Sequence, residues 1–210
     1  MNNIKTIFLI RHGETDYNRK GIVQGSGIDA ELNELGHNQA AAFYEHYKAI
    51  PFQKVYTSEL IRTHQSVKSF IELGIKQEIL SGLNEISWGV KEGKIPSKSE
   101  RAFYSDIIKK WANGETYVKM EGGESPEEVV IRQRIALQKI LESRSENAIL
   151  IAMHGRAMRI LLTQLFQVPL TKMDTFEHSN LCLYKLKYSY DAQTFEMLDR
   201  NNIIHLKNIS

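Results

Sequence analysis

The sequence predicts an α/β fold, a three-layer α/β/α sandwich with a mostly parallel central sheet and an antiparallel strand or hairpin near the C-terminus. Three observations lead to this prediction. Short apolar runs alternate with helix-length amphipathic stretches along most of the chain. The runs show no polar alternation, which is typical of strands covered on both faces. Two strand-like segments near the end of the chain are joined by a short polar turn.

The first part of the chain supplies strands and helices in alternation. Thr6–Ile10 is β-branched and aromatic, which indicates a buried strand. Asn33–Tyr47 has an apolar face at helical spacing, with Asn33 as a suitable N-cap, and predicts a helix. A short strand over Lys54–Thr57 and a helix from Glu59 to about Leu73 follow.

The middle of the chain is less regular. Ser58 is the candidate cap of the helix just described. Ile79–Leu83 is either a third strand or an extended loop. Lys98–Ala112 is predicted to be a helix, because Pro96 precedes it and an Asn-Gly turn signal follows it.

The last third of the chain begins with the clearest helix start. Ser125 precedes Pro-Glu-Glu and so provides a capping box for a helix that runs to about Ser143. The predicted elements that follow are a buried strand (Ala148–Met153), a helix (Arg156–Phe166) and the two hairpin strands (Leu181–Tyr188 and Thr194–Leu198). Because the hairpin offers an edge for pairing, the sequence leaves both a monomer and a homodimer open.

Composition favours one ordinary domain, residues 1–210, and argues against several functions. The chain has 42% hydrophobic and 25% charged residues, and its formal net charge is only +2. That balance gives no support to a nucleic-acid coat or a polybasic membrane anchor. Cys182 is the only cysteine, which excludes an intramolecular disulfide and a cysteine-based zinc site. Without a bilayer-length apolar run or a signal-peptide pattern, we expect a cytoplasmic protein that binds neither membrane nor nucleic acid.

Two predicted strands end with the same signature. "TIFLIRHG" ends in His12 and Gly13, and "AILIAMHG" ends in His154 and Gly155. Because parallel strands deliver their carboxyl ends to one edge of a sheet, we expect the two histidines to lie close together. The glycines would let a small ligand or the other ring approach the backbone. The pattern therefore predicts a ligand site at this edge.

Two arginines suggest the ligand. Arg11 adjoins His12, and Arg62 lies one turn into the helix that follows the second strand. Converging guanidinium groups suit a phosphoryl group, although Arg62 taken alone fits an exposed surface residue as well. Metal binding is disfavoured, because no carboxylate or third imidazole stands at ligand spacing and the arginines would repel a cation. We expect no metal and no cofactor.

Five ordered blocks carry a family resemblance. "RHGETDYN", "SELIRTHQS", "LNEISWGVKEG", "GGES" and "MHGRAMRILL" closely resemble the histidine phosphatase superfamily, the phosphoglycerate mutase-like proteins, over about Ile4 to Leu165. The resemblance implies that His12 is the nucleophile that forms a phosphohistidine and that Glu85 is the general acid and base. It implies further contacts: with the phosphoryl group from Arg11, Arg62, His154 and Asn18, and with the substrate from Gln24 and Gly25. Gly155 and Arg156, which follow His154, are further candidate substrate contacts, although Arg156 departs from the asparagine typical of phosphoglycerate mutases.

These roles are chemically coherent. A neutral imidazole attacks phosphorus if its other nitrogen is held as N–H by an acceptor. Nearby Arg11 and Arg62 disfavour the protonated form of His12 and neutralise the oxygens of the transferring group. We expect His154 to act protonated, as a donor to the same oxygens. Glu85 would protonate the leaving oxygen and then activate water.

The resemblance leaves the reaction open between hydrolysis and transfer. Only Lys94–Glu121 separates the glutamate block from "GGES", whereas cofactor-dependent mutases usually carry a longer insertion. We therefore expect a phosphomonoesterase that acts on a small phosphorylated metabolite. A mutase and an inactive phospholigand-binding module are the alternatives. Arg156 could bind a second anionic group or cap the helix surface, and Lys91 and Lys94 could extend a basic rim or form a solvated loop.

Overall fold

A computed structural model describes residues 3–95 and 97–209. The strands of this part form one sheet: β1 (Ile4–Arg11), β2 (Lys54–Thr57), β3 (Gln77–Ile79), β4 (Ala148–Met153), β5 (Leu183–Ser189) and β6 (Thr194–Asn202). Their order across the sheet is β3-β2-β4-β1-β5-β6. The first four strands in this order pair in parallel, and β5 and β6 pair antiparallel. The predicted mostly parallel sheet with a C-terminal hairpin is confirmed.

Helices cover both faces of the sheet. The α-helices of the described residues are α1 (Asp16–Arg19), α2 (Glu34–Tyr47), α3 (Ile61–Glu72), α4 (Lys98–Ala112), α5 (Pro126–Glu142) and α6 (Gly155–Leu165), of which α2, α3, α5 and α6 cover the sheet. Helices α2 and α3 pack on one face through Phe43 and Phe70. Helices α5 and α6 pack on the other face through Ile140 and Leu161. The three-layer architecture follows from this arrangement.

Strand β1 shows why the buried runs lack polar alternation. Ile7 and Leu9 enter the core beneath α5 and α6, whereas Phe8 and Ile10 enter the core beneath α2 and α3. Because successive side chains point to opposite faces, a strand covered on both sides must be apolar at every position. Each of these four side chains is at most 3% exposed.

The register of β1 against β4 positions the site. Ile10 pairs with Ala152, and Arg11 pairs with Met153. The residues that follow, His12 and His154, therefore leave the sheet side by side at its carboxyl edge. This confirms the predicted juxtaposition of the two strand ends.

Two helix caps agree with the sequence prediction. The Asn33 side chain accepts a hydrogen bond from the Gly36 amide at 2.9 Å and begins α2. Ser125 and Glu128 form a capping box at the start of α5, with Pro126 in the first turn. Local sequence was sufficient here, because a cap bonds amides within three residues.

Other boundaries differ from the prediction. Helix α3 begins at Ile61 with Leu60 as its N-cap, so the assignment of Ser58 as the cap was wrong. The Ser58 hydroxyl is buried and lies 2.7 Å from Nε2 of His154. Over Ile79–Leu83, only Ile79 belongs to a strand, and Ser81–Leu83 forms a 3-10 helix. Pro96, expected to precede α4, lies outside the described residues.

Helix α4 extends the core beyond the sheet. Its Ile107 and Trp111 pack with Trp88 and with Ile160 of α6 in a separate apolar cluster. This cluster supports one wall of the cavity described below. Within the described ranges, no helix combines the length and apolarity needed to cross a bilayer.

Candidate active site

His12 and His154 lie at the carboxyl edge of the sheet with their ring centroids 5.2 Å apart. Both side chains are buried, His12 at 3% exposure and His154 at 0%. Burial of an imidazole favours its neutral form, because the charged ring loses its hydration. The two rings therefore have to be supported by specific hydrogen bonds, which the structure supplies.

His12 has the orientation expected of a nucleophile. Its Nδ1 donates to the carbonyl oxygen of Gly13 at 2.7 Å, which leaves the lone pair on Nε2. Burial holds the pKa of His12 well below its ordinary value, and the neighbouring Arg62 and Arg11 lower it further. The ring is therefore neutral near pH 7, and one nitrogen is available for attack.

His154 differs from the expectation of a protonated donor. Its Nδ1 accepts a hydrogen bond from Nε of Arg62 at 3.2 Å, so that nitrogen carries no proton. Its Nε2 then donates to Oγ of Ser58. Burial, followed by Arg62, holds the pKa of His154 well below its ordinary value. In this arrangement His154 is neutral, because a lone pair is needed to receive the arginine.

Arg62 is fully buried, which excludes the alternative of an exposed surface residue. Its Nη1 donates to the carbonyl of Ile28 at 2.6 Å, and its Nη2 donates to the carbonyl of Gly25 at 3.2 Å. Burial lowers the pKa of Arg62 to about 10, so the guanidinium stays charged at neutral pH. The carbonyl oxygens and His154 fix the side chain beside His12.

Arg11 is held by His178, a residue that the sequence did not indicate. Its Nη1 donates to the carbonyl of His178 at 2.9 Å and lies 3.3 Å from Nδ1 of the same residue. Its Nε is buried and, among the described residues, has no hydrogen-bond partner. Burial and the charge of Arg11 lower the pKa of His178 to about 3, so the His178 ring is neutral.

Close packing explains why residue 13 is a glycine. A Cβ at this position would lie 2.7 Å from the carbonyl oxygen of Gly36, on the first turn of α2. The expectation that Gly13 makes room for a ligand is therefore corrected. The Gly13 amide donates to Oγ of Ser66, which in turn donates to the carbonyl of Arg62. Ser66 thus joins the loop after β1 to α3.

Asn18 is built into the same loop. With Thr15 it forms a capping box at the start of α1. Its Oδ1 also accepts from Nδ2 of Asn180 at 3.2 Å, and Asn180 contacts the carbonyl of His12 at 3.1 Å. Thr15 donates to Oε1 of Gln24 at 2.9 Å. Asn180 does not belong to any motif identified in the sequence, so its position beside His12 could not be predicted.

Glu85 lies at the N-terminus of α6. Its Oε1 accepts from the amides of Ile86 at 2.9 Å and Ala157 at 2.8 Å. Its Oε2 accepts from the Arg156 amide at 3.1 Å. The free amides of a first helical turn attract a carboxylate, which explains why a loop residue distant in sequence is fixed here.

A cavity of about 540 Å³ opens beside this group. Of the predicted site residues, those that line the cavity are Arg11, Gln24, Glu85, Gly155 and Arg156. The remaining wall is formed by Gly21, Ile22, Val23, Trp88, Lys91, Lys94, Glu100, Arg101, Phe103, Tyr104, Met120, Arg159 and His178. Among the described residues, the lining does not include the other predicted site residues, His12, Asn18, Gly25, Arg62 and His154.

Of the two glycines predicted to contact substrate, Gly155 lines the cavity and Gly25 does not. Gly25 binds Arg62 through its carbonyl, and a Cβ there would lie 2.7 Å from the carbonyl oxygen of Ile86. Gly155 lines the cavity, and a Cβ there would lie 3.2 Å from the His178 ring. Close packing at both positions limits them to glycine or to a shifted neighbour.

Arg156 is buried rather than spread over the helix surface. Its Nη1 pairs with Oδ1 of Asp174 at 2.6 Å, and its Nη2 donates to the hydroxyl of Tyr104 at 3.3 Å. Its guanidinium lies 5.6 Å from the ring centroid of Trp111. Arg159, one turn further along α6, contacts the same Asp174 oxygen. Arg159 and Asp174 were not identified from the sequence.

The lysines of the rim are both near the cavity. Lys91 and Lys94 line it, and Lys91 pairs with Glu100 at 3.1 Å. Lys91 also lies 4.4 Å from the ring centroid of Phe103. Over residues 3–95 and 97–209, no group of three or more histidine, cysteine, aspartate or glutamate side chains forms a candidate metal site.

Comparisons with known proteins identify the family and the fold. The model of the histidine phosphatase superfamily (branch 1) matches residues 7–201. A probable phosphoglycerate mutase GpmB of Yersinia enterocolitica is 32% identical over 164 residues, which cover 78% of this chain and 75% of the relative. A putative phosphoserine phosphatase 2 of Hydrogenobacter thermophilus is 24% identical over 99% of this chain and 100% of the relative. The solved structure of Bacillus stearothermophilus YhfR superposes with a TM-score of 0.83 at 24% identity, over 97% of this chain and 100% of that one.

Proposed function

The chain belongs to the histidine phosphatase superfamily, branch 1. On that premise, we propose that it is a phosphomonoesterase that hydrolyses a small phosphorylated metabolite through a phosphohistidine on His12. The observation that carries this proposal is the 2.7 Å bond from Nδ1 of His12 to the carbonyl of Gly13. It directs a neutral, basic Nε2 away from the backbone, as in-line attack on phosphorus requires.

In the first step, Nε2 of His12 attacks phosphorus while the bond from phosphorus to the leaving oxygen breaks. The transferring group carries its negative charge on three oxygens, so its stabilisation is largely electrostatic. Arg11 and Arg62 supply that charge. His154 and Ser58 orient Arg62, and Asn18 supports the loop that carries His12. Arginines take the place that Mg²⁺ occupies in other phosphoryl-transfer enzymes.

Glu85 completes the proton balance. In its protonated form it donates to the leaving oxygen, so that an alcohol departs rather than an alkoxide. The carboxylate then removes a proton from water, whose oxygen attacks phosphorus as the bond to His12 breaks. Inorganic phosphate leaves, and His12 returns to its neutral form. The amides at the start of α6 hold Glu85 at the cavity wall throughout.

Phosphoryl transfer between positions of a phosphoglycerate is the second candidate, because one relative is described as a probable phosphoglycerate mutase. Hydrolysis is favoured by the short segment between Lys94 and Glu121, since an enclosing insertion is what keeps water from a phosphoenzyme. A binding module without catalysis is disfavoured, because the sequence contains His12, Glu85 and both arginines.

The proposal is tested by phosphate release from a panel of phosphate esters between about pH 5 and 8, with and without EDTA. We expect release from at least one ester, insensitivity to EDTA, and its loss in His12→Ala. Wild-type protein that releases no phosphate without a bisphosphorylated activator, but isomerises a phosphoglycerate with one, would establish the mutase. Phosphatase activity retained by His12→Ala would remove the nucleophile from its role.

A further inference from the structure

We propose that the cavity contains a second anion-binding subsite, formed by Arg156 and Arg159 around Asp174. The substrate would then carry a second anionic oxygen group, a carboxylate or a second phosphate, in addition to the ester phosphate. This inference rests on the proposed function, because it specifies the substrate class of the same site.

The first observation is a shared carboxylate. Nη1 of Arg156 and Nη1 of Arg159 both contact Oδ1 of Asp174, the former at 2.6 Å. One carboxylate balances only one of the two guanidinium charges, so a positive charge is left over. Burial lowers the pKa of Arg159, and the neighbouring Arg156 lowers it further. An anion at this point relieves the repulsion between the two arginines.

The second observation is that the surplus positive charge faces the cavity. Arg156 and Arg159 both line the cavity, whereas Asp174 does not. Arg156 is 7% exposed, so its charge acts in a poorly hydrated environment where it is only weakly screened. Tyr104 accepts a hydrogen bond from Arg156 through its hydroxyl, which leaves the hydroxyl hydrogen to donate to a ligand.

The third observation is that the two acidic residues in the cavity wall already have partners of their own. Glu100 is paired with Lys91, and Glu85 accepts three backbone amides. Glu85 meets Arg156 through the backbone amide, and in the described part of the chain neither carboxylate pairs with the guanidinium group of Arg156 or Arg159. Lys91 is therefore already balanced by Glu100, and the charge left over by the shared Asp174 stays with Arg156 and Arg159.

Helix α6 places the arginine pair next to Arg11. Gly155, Arg156 and Arg159 belong to the first two turns of α6, and a Cβ at Gly155 would lie 3.4 Å from Nε of Arg11. One turn of helix rises about 5 Å, so both arginines begin within about one turn of the residue that adjoins Arg11. A cavity of about 540 Å³ has room for such a ligand. Trp88, Phe103 and Tyr104 form an aromatic wall for its carbon skeleton.

The test compares two esters that differ by one charge, phenyl phosphate and 4-carboxyphenyl phosphate. Arg159→Met and Arg156→Met should each lower kcat/KM for the carboxylated ester at least about tenfold more than for phenyl phosphate, because a charge-assisted hydrogen bond is lost. Asp174→Asn should shift the ratio in the opposite direction, because it frees both guanidinium groups. Each variant is compared with the wild type on the same ester, so the intrinsic reactivity of the ester cancels.

Arg134→Met is the matched control, since Arg134 lies on the exposed side of α5 and should leave both rates unchanged. A purely structural role for the arginine pair would lower both rates together and leave the ratio of the two esters unchanged. That result, in all three variants, would overturn the inference.

Binding of non-hydrolysable analogues separates this inference from the proposed function. Calorimetry with benzylphosphonate and 4-carboxybenzylphosphonate should give at least about tenfold tighter binding of the carboxylated compound, and Arg159→Met should abolish the difference. Equal affinities would refute the second subsite even if the esters are hydrolysed. Preferential binding without hydrolysis of any ester would retain the subsite and refute the phosphatase.

Discussion

Arg62 donates a hydrogen bond from Nε to Nδ1 of His154 across 3.2 Å, and neither side chain has exposed surface. An arginine N–H can only donate, so the imidazole that receives it is neutral. His154 is thus a support for the guanidinium, and Ser58 supports His154 from the other ring nitrogen. The two residues act as one unit at the edge of the sheet.

Replacement of Arg62 by methionine should lower kcat/KM at least about 100-fold, which corresponds to a loss of roughly 3 kcal/mol of transition-state stabilisation. The reason is that the oxygens of the transferring phosphoryl group lose one of the two positive charges that stabilise them. Steady-state kinetics with a phosphate ester give the value. The melting temperature should fall as well, since the carbonyls of Gly25 and Ile28 lose their buried donor.

Arg19→Met is the control for this substitution, because Arg19 is exposed and its ion pair with Asp16 lies on the surface. It should change neither activity nor melting temperature appreciably. A loss below about tenfold in Arg62→Met would show that Arg62 does not hold the phosphoryl group in the transition state.

Activity should persist into mild acid. An ordinary histidine with a pKa near 6.5 is about tenfold less available as a neutral base at pH 5.5 than at neutral pH. The pKa of His12 lies well below that value, because burial and two arginines disfavour its charged form. A lowered pKa means that the neutral nucleophile survives as the pH falls.

The measurement is kcat/KM against pH, which reports the free enzyme, corrected for ionisation of the ester near pH 6. We expect a flat profile on the acid side down to about pH 5.5. A tenfold decline centred near pH 6.5 that is not due to the ester would mean that His12 titrates as an ordinary histidine.

Glu85→Gln should slow the cleavage of an alkyl phosphate ester far more than that of an ester with a good leaving group. An alkyl ester needs a proton on its leaving oxygen, so its rate of phosphoenzyme formation should fall by about 100-fold or more. A 2,4-dinitrophenyl ester has a leaving group that departs without a proton, and its phosphoenzyme burst should be affected far less. Rapid-mix burst measurements of both esters give the comparison, and equal losses would contradict proton donation by Glu85.

Gly155→Ala should impair catalysis without unfolding the protein. The new methyl group would lie 3.2 Å from the His178 ring and 3.4 Å from Nε of Arg11, so these groups must shift by a few tenths of an ångström. Alanine is otherwise well suited to a helix, and the melting temperature should not fall by more than a few degrees. We expect a loss of about tenfold or more in kcat/KM, because Arg11 is displaced.

The double variant Gly155→Ala/His178→Ala tests the cause of that loss. Removing the ring makes room for the methyl group, while the carbonyl of residue 178 still receives Nη1 of Arg11. Activity should therefore recover at least in part relative to Gly155→Ala. A double variant no more active than Gly155→Ala would mean that the clash with His178 is not responsible.

The sequence by itself determined the fold class, most elements and the main cluster of the candidate site. Strands β1 and β4 were predictable because burial on both faces demands uninterrupted apolar runs. The cap at Ser125 was predictable because its hydrogen bonds reach only three residues along the chain. His12 and His154 were expected together because both follow strands that end at one edge of a parallel sheet.

Only the tertiary structure decided the protonation and support of these side chains. Arg11 meets His178 across 167 residues of sequence, and Glu85 meets the start of α6 across more than 70. No local pattern encodes such contacts, since they depend on how distant loops converge at the edge of the sheet. The neutral state of His154 arises there, because the direction of one hydrogen bond from Arg62 decides which nitrogen lacks a proton.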